Sequence, residues 1–149
     1  MNILIICSKR FYNRIAKIKE LLEVNGHHPF MPNCYDDTGT EDRIKSIGEE
    51  EHQKFKARMF KQSEETISNM DAVLVLNFDK NDKKNYIGGA TFLEMYDAFR
   101  LGKKIFLYNP VPEGILYDEI VGFAPVIING DLELINKSQE NALKGVKWK

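Results

Sequence analysis

Short apolar runs alternate with longer segments of helical periodicity along this chain. Asn2 to Cys7 (NILIIC) reads as a buried strand, being short, apolar and rich in isoleucine. Ser8-Lys9-Arg10 then make a polar turn, and Phe11, Ile15, Ile18, Leu21 and Leu22 mark one face of a helix that Asn25-Gly26 stop. His28 to Met31 is a weak second strand, broken by Pro29 and closed by Pro32, which suits a sheet edge. Asn33 to Ile47 is polar and reads as a mobile loop, long enough to serve as a lid or binding loop. A helix is predicted from about Glu49 to Asn69, with an apolar stripe of Phe55, Met59, Phe60, Ile67 and Met70.

Asp71 to Asn77 is the clearest strand, its unbroken apolar run suiting burial on both faces. A lysine-rich loop, Phe78 to Asn85, leads to a helix over Gly89 to Leu101, with Phe92, Met95 and Phe99 on its core side and Gly102 ending it. Lys104 to Tyr108 is a fourth strand. A short helix over Leu116 to Val121 precedes a fifth strand, Pro125 to Ile128, and Asp131 to Leu143 reads as a final helix. This alternation implies an α/β fold: a single-domain, Rossmann-like or flavodoxin-like three-layer sandwich around a mostly parallel five-stranded sheet, spanning residues 1–149.

Composition narrows the classes. A 43% apolar and 29% charged chain fits a soluble globular protein. A net charge of −1 argues against a nucleic-acid polymer as partner. The apolar runs fall far short of the roughly 20 residues that cross a bilayer, so no membrane partner is expected. Cys7 and Cys34 form no close pair and His27, His28 and His52 no zinc-like spacing. A reducing cytoplasm is therefore expected, with no metal site.

In open parallel sheets, ligands bind beyond the carboxyl ends of the strands. That rule selects Ser8 to Tyr12, Asn77 to Gly89 and Asn109 to Gly114. The most informative stretch lies among them: Gly88-Gly89-Ala90-Thr91-Phe92-Leu93-Glu94-Met95. Two glycines at a strand-to-helix junction let a ligand approach the backbone, and the helix start offers free N–H groups. Glu94 falls within the first two helical turns, where a carboxylate suits sugar chemistry. A plain tight turn with a solvated Glu94 fits the same letters.

This stretch, with the strand after Met70-Asp71-Ala72, Ala98 one turn on, and Gly102-Lys103-Lys104-Ile105, resembles the nucleoside 2-deoxyribosyltransferase-like superfamily, which includes the 2'-deoxynucleoside 5'-phosphate N-hydrolases. The "lonely guy" phosphoribohydrolases carry a similar Gly-rich turn and Glu. The resemblance implies cleavage or transfer at the N-glycosidic bond of a (deoxy)nucleoside or its 5'-monophosphate, with Glu94 as nucleophile and no metal or organic cofactor. A fixed carboxylate can trap the oxocarbenium-like centre left by the departing base. The base needs a proton. The family often has an aspartate within the Gly-rich turn, but no carboxylate lies between Asp82 and Glu94 here.

Asp79, just beyond the third strand, is the substitute acid, although it also suits a solvated loop. Tyr86 would position Glu94 or the sugar, or else pack at the turn. Asn77 and Asn109 could hydrogen-bond base or ribose. Ser8, Lys9, Arg10 and Tyr12 follow the first strand, where the family often contacts base or phosphate; Lys9 and Arg10 equally suit a solvated turn. Gly88, Gly89 and Thr91 complete the expected cradle. Lys80, Lys83 and Lys84 could attract a phosphate or simply be solvated. The resemblance also implies a homo-oligomer, with Tyr96 and Phe123 as contact candidates. A non-catalytic nucleotide-binding sensor or partner module of the same fold is the alternative. A response-regulator-like domain fits less well, since the first strand lacks an acidic cluster.

Overall fold

The structure, a computed structural model, describes residues 1–139. Five strands form one sheet: β1 (Asn2–Ile6), β2 (His28–Phe30), β3 (Ala72–Val75), β4 (Lys104–Leu107) and β5 (Val126–Ile127). Every pairing is parallel, in the order β2-β1-β3-β4-β5. The helices are α1 (Ile15–Val24), reached through a 3-10 segment at Lys9–Arg14, then α2 (Thr40–Ile47), α3 (Glu49–Ser68), α4 (Gly89–Arg100) and α5 (Tyr117–Gly122). Residues 133–139 are helical too, and the rest of the final helix expected from the sequence lies outside the described residues.

Alternation along the central strands builds two cores, one on each face of the sheet. Ile3, Ile5, Ala72, Leu74 and Phe106 pack with Ile15, Ile18 and Leu22 of α1 and with Leu132 and Ile135. Leu4, Ile6, Val73, Val75, Ile105 and Leu107 pack with Ile67 of α3, Met95 and Ala98 of α4, and Ile120 of α5. A strand covered on both sides needs apolar residues at both parities, hence the unbroken runs. Pro29 costs the sheet no hydrogen bond that it needs, because β2 is an edge strand paired only with β1.

Three expectations change. The segment from Asn33 to Ile47 is not one loop, since its second half is α2. That helix buries no residue, so its sequence shows no apolar stripe to read. Phe99, expected in the core, is 50% exposed, while Thr91, Met95 and Ala98 form the buried face of α4. Phe60 of α3 is likewise exposed at 44%. Aromatic rings at helical spacing do not reveal which edge of the stripe turns outward.

Beyond β3 and β4 the chain is cross-linked by two asparagines. Asn77, fully buried, donates from Nδ2 to the carbonyls of Asn109 and Pro110 (3.0 Å each), and its Oδ1 accepts the Asn109 N–H (2.8 Å). Asn109 Nδ2 donates back to the Asn77 carbonyl (3.1 Å). Both side chains, expected to meet a ligand, are committed to backbone partners. Asn77→Ala should therefore destabilise the fold by roughly 2–3 kcal/mol by leaving buried polar groups unpaired, measured by urea unfolding, with ligand affinity unchanged in the folded protein.

Candidate active site

The order β2-β1-β3 means that the chain leaves β1 toward one side of the sheet and β3 toward the other. This topological switch point opens a crevice at the carboxyl ends of the two strands, the usual ligand position in such sheets. A cavity of about 230 Å³ lies there. Cys7, Ser8, Lys9 and Tyr12 line it from the β1 side, Gly88 to Thr91 and Glu94 from α4, and Phe55, Lys56, Met59, Phe60 and Ser63 from α3. Asn33, Cys34, Thr38 and Glu41 close it from the segment before and within α2.

The α3 wall repeats at helical spacing, 55, 56, 59, 60 and 63, so a single face of that helix looks into the cavity. Its aromatic members read as core in the sequence. The informative signal is that Lys56 and Ser63, two polar residues, share this otherwise apolar face two turns apart.

Glu94 is the cavity group whose shift brings it closest to neutral pH. Burial pushes its carboxyl up, a hydrogen bond from Ser63 and the Lys56 charge pull it down, Asp97 adds a further rise, and the result is about 7. Ser63 is itself fixed: Asn33 Nδ2 donates to its Oγ at 2.8 Å. Asn33 also donates to the Met59 carbonyl (3.4 Å), and its own carbonyl accepts the Tyr12 hydroxyl (2.9 Å). Hydrogen bonds thus run from Tyr12 through Asn33 to Ser63, which lines the cavity together with Glu94. A second cavity, of about 340 Å³, reaches Glu94 from the Tyr35 and Gln62 side.

The other ionisable groups are held in defined states. Burial, helped by Glu94's charge, pushes the Cys7 thiol up to about 12, and burial first of all raises the Tyr12 phenol, so both are neutral at ordinary pH. Burial also pushes Glu41 up, but the hydrogen bond from His52 and the charges of Lys56 and Lys9 outweigh it and leave the carboxyl below its usual range. The cavity therefore holds one carboxylate poised near neutrality and another that stays ionised.

The start of α4 adds donors. Gly88, its N-cap, offers no side-chain cap, so the first N–H groups of the helix keep their hydrogen-bonding capacity beside the cavity. Neither Gly88 nor Gly89 has a positive φ. A Cβ added at Gly89 would meet nothing within 4 Å. The fold therefore does not require glycine at this position, and its bare backbone would let a ligand approach closely. Gly89→Ala is expected to leave stability equal or up to about 1 kcal/mol higher while weakening ligand binding; thermal melts and ligand titration on the same sample check both halves.

Ser8, Lys9, Tyr12, Gly88, Gly89, Thr91 and Glu94 all line this one cavity, as a site read from the sequence would require. Asp79, Tyr86, Arg10, Asn77 and Asn109 do not line it. Asp79 is taken up by its own loop, accepting the Asn85 N–H at 3.0 Å. Tyr86 packs against the core under Lys80, whose Nζ lies 4.5 Å from the ring centroid, and faces a separate groove beside Pro110 to Leu116. Arg10 donates to the Asn81 side chain (2.8 Å). Lys56, Ser63, Asn33 and Glu41 are the cavity residues that the sequence reading missed. Among the described residues, no group of three or more His, Cys, Asp or Glu side chains is placed to hold a metal ion. Comparison with known protein families, curated proteins and solved structures finds no match to this chain.

The raised Glu94 carboxyl has a consequence for stability. Its folded value of about 7 exceeds the ordinary glutamate value near 4.5, so the native state holds this proton more tightly than the unfolded chain. Its contribution is most favourable below about pH 4.5 and is lost as pH rises toward 7. Glu94→Gln should therefore stabilise the protein at pH 8 by on the order of 2 kcal/mol and change it little at pH 4.5. Melting curves of both proteins across that range test this; an equal difference at both pH values would refute the raised carboxyl.

Proposed function

We propose that this protein cleaves or transfers at the N-glycosidic bond of a nucleoside or nucleotide, with Glu94 as nucleophile. The observation that carries the reading is the Glu94 carboxyl, on the wall of a switch-point cavity with Ser63 and Lys56 and beside an uncapped helix start. In the proposed reaction the Glu94 carboxylate attacks C1' of the sugar. The C1'–N bond breaks, its electron pair leaves with the base, and an ester joins the sugar to Glu94. Water or a second base then attacks C1', the C1'–O bond to Glu94 breaks to free the carboxylate, and the attacking group's proton passes to Glu94 or solvent; water gives a hydrolase, a second base a transferase. Phe55, Met59 and Phe60 offer apolar surface for a base or sugar face. With Asp79 outside the cavity, the departing base takes its proton from solvent reaching Glu94 through the second cavity.

The residues supply this chemistry without a cofactor. Both cysteines are free thiols, in keeping with a reducing cytoplasmic setting. Among the described residues no helix is long and apolar enough to cross a membrane. Phe123 gathers Phe92, Tyr96 and Phe99 around it with ring centroids 5.5–6.3 Å apart, and the exposed rings Tyr96 and Phe99 offer a surface for a homo-oligomer.

A non-catalytic nucleotide-binding module is the second reading, favoured by the absence of Asp79 from the cavity wall. Base release separates the two. The protein would be incubated with ribo- and deoxyribonucleosides and their 5'-monophosphates, with and without a second free base, and the products separated by chromatography. Catalysis predicts free base, lost by several orders of magnitude in Glu94→Gln, and a rate that rises with pH up to about 7 and then levels as Glu94 ionises. Ligand binding without any base release would leave the binding module as the function.

A further inference from the structure

Glu41 of α2 is held by three basic side chains drawn from two other parts of the chain. Its Oε1 lies 3.7 Å from Lys9 Nζ, and its Oε2 lies 3.4 Å from Lys56 Nζ and 2.8 Å from His52 Nε2. Lys9 follows β1, while His52 and Lys56 stand one turn apart on α3. Lys9, Lys56 and Glu41 all line the cavity that contains Glu94. Two lysine charges face one Glu41 charge, so this side of the cavity keeps an excess of positive charge and of N–H donors.

Outside the cavity, the helix that delivers Glu41 is tied to the preceding loop by exposed contacts to Asp37, from Arg43, Thr40 and Gly39. It buries no side chain, its N-cap Gly39 makes no capping bond, and it joins α3 through Gly48 at φ +156°. Partly exposed ion pairs of this kind are individually weak. A group with more charge and more acceptor oxygens than a carboxylate, at the same spot, would compete with Glu41 for the same cations.

We propose that Lys9, Lys56 and His52 form a subsite for a phosphoryl group, and that Glu41 is its internal occupant, displaced when a phosphorylated ligand binds. This deepens the function proposed above and rests on it for the nucleoside part alone: the ligand is then a nucleoside 5'-monophosphate rather than a nucleoside. Glu41 keeps the cations apart from solvent anions when the site is idle, and its release frees α2 to move with the ligand.

The test is calorimetric titration of the full chain with inorganic phosphate at fixed ionic strength, using wild type, Glu41→Gln and Lys56→Met. Glu41→Gln should bind phosphate about tenfold more tightly and Lys56→Met about tenfold more weakly, each equal to about 1.4 kcal/mol. A nucleoside 5'-monophosphate should bind wild type more tightly than its nucleoside, and Lys56→Met should erase that preference. Phosphate binding no tighter in Glu41→Gln, or unchanged in Lys56→Met, overturns the subsite. Should Glu41→Gln fail to fold, the comparison of Lys56→Met with wild type decides alone. Phosphate binding as expected without base release would remove the catalytic reading and leave the subsite; base release without phosphate binding would do the reverse.

Discussion

The hydrogen-bonded set of Tyr12, Asn33 and Ser63, standing beside Glu94 on the cavity wall, is the arrangement around which this site is organised. It ties α3 to the segments that follow β1 and β2, while Arg100 of α4 pairs with Glu64 of α3 at 2.8 Å. A carboxyl buried without a partner would take up a proton and lose its use as a nucleophile. Asn33 holds Ser63, and Asn33 is in turn fixed by Met59 and Tyr12. Positioning of Glu94 therefore draws on the turn after β1, the segment after β2, and both helices. No single local motif carries it.

The two ends of the rim divide the labour. Where β3 and β4 finish, Asn77 and Asn109 satisfy each other's backbone and leave no donors for a ligand. Where β1 and β3 diverge, polar groups face a cavity instead. The difference follows from the sheet order. Neighbouring strands whose following loops run the same way can be stitched together, whereas at the switch point the loops part and the polar groups there face an open space.

This geometry explains which features are legible in the sequence. Strands such as Ala72–Val75 are visible because burial on both faces demands an unbroken apolar run. Glu94 and the glycines are visible because local spacing alone puts them at the start of α4. Lys56 and Ser63 are not, because their importance arises only when α3 packs against α2 and the segment after β2, where Lys56 meets Glu41 and Ser63 meets Asn33. Helix α2 is hidden for a different reason: it buries nothing, so periodicity leaves no trace. Asp79 was assigned by its position after β3, but its loop folds back and gives its carboxylate to Asn85; proximity to a rim does not fix the direction of a side chain.

Two carboxylates in one cavity, driven apart in acidity by opposite means, give the site its electrostatic character. Glu94 is raised by burial and Glu41 lowered by cations. Such divergence is how a single pocket keeps one group ready to exchange a proton while another remains charged. The two are also coupled through Lys56, which faces both: it pairs with Glu41 at 3.4 Å and its charge lowers Glu94. Any anion that takes Lys56 from Glu41 also changes the field at Glu94, raising its carboxyl further. The charge on Lys56 thus links the state of Glu41 to the ionisation of Glu94, and under the proposed function it would balance the charge that holds a ligand against the charge that keeps Glu94 ionised.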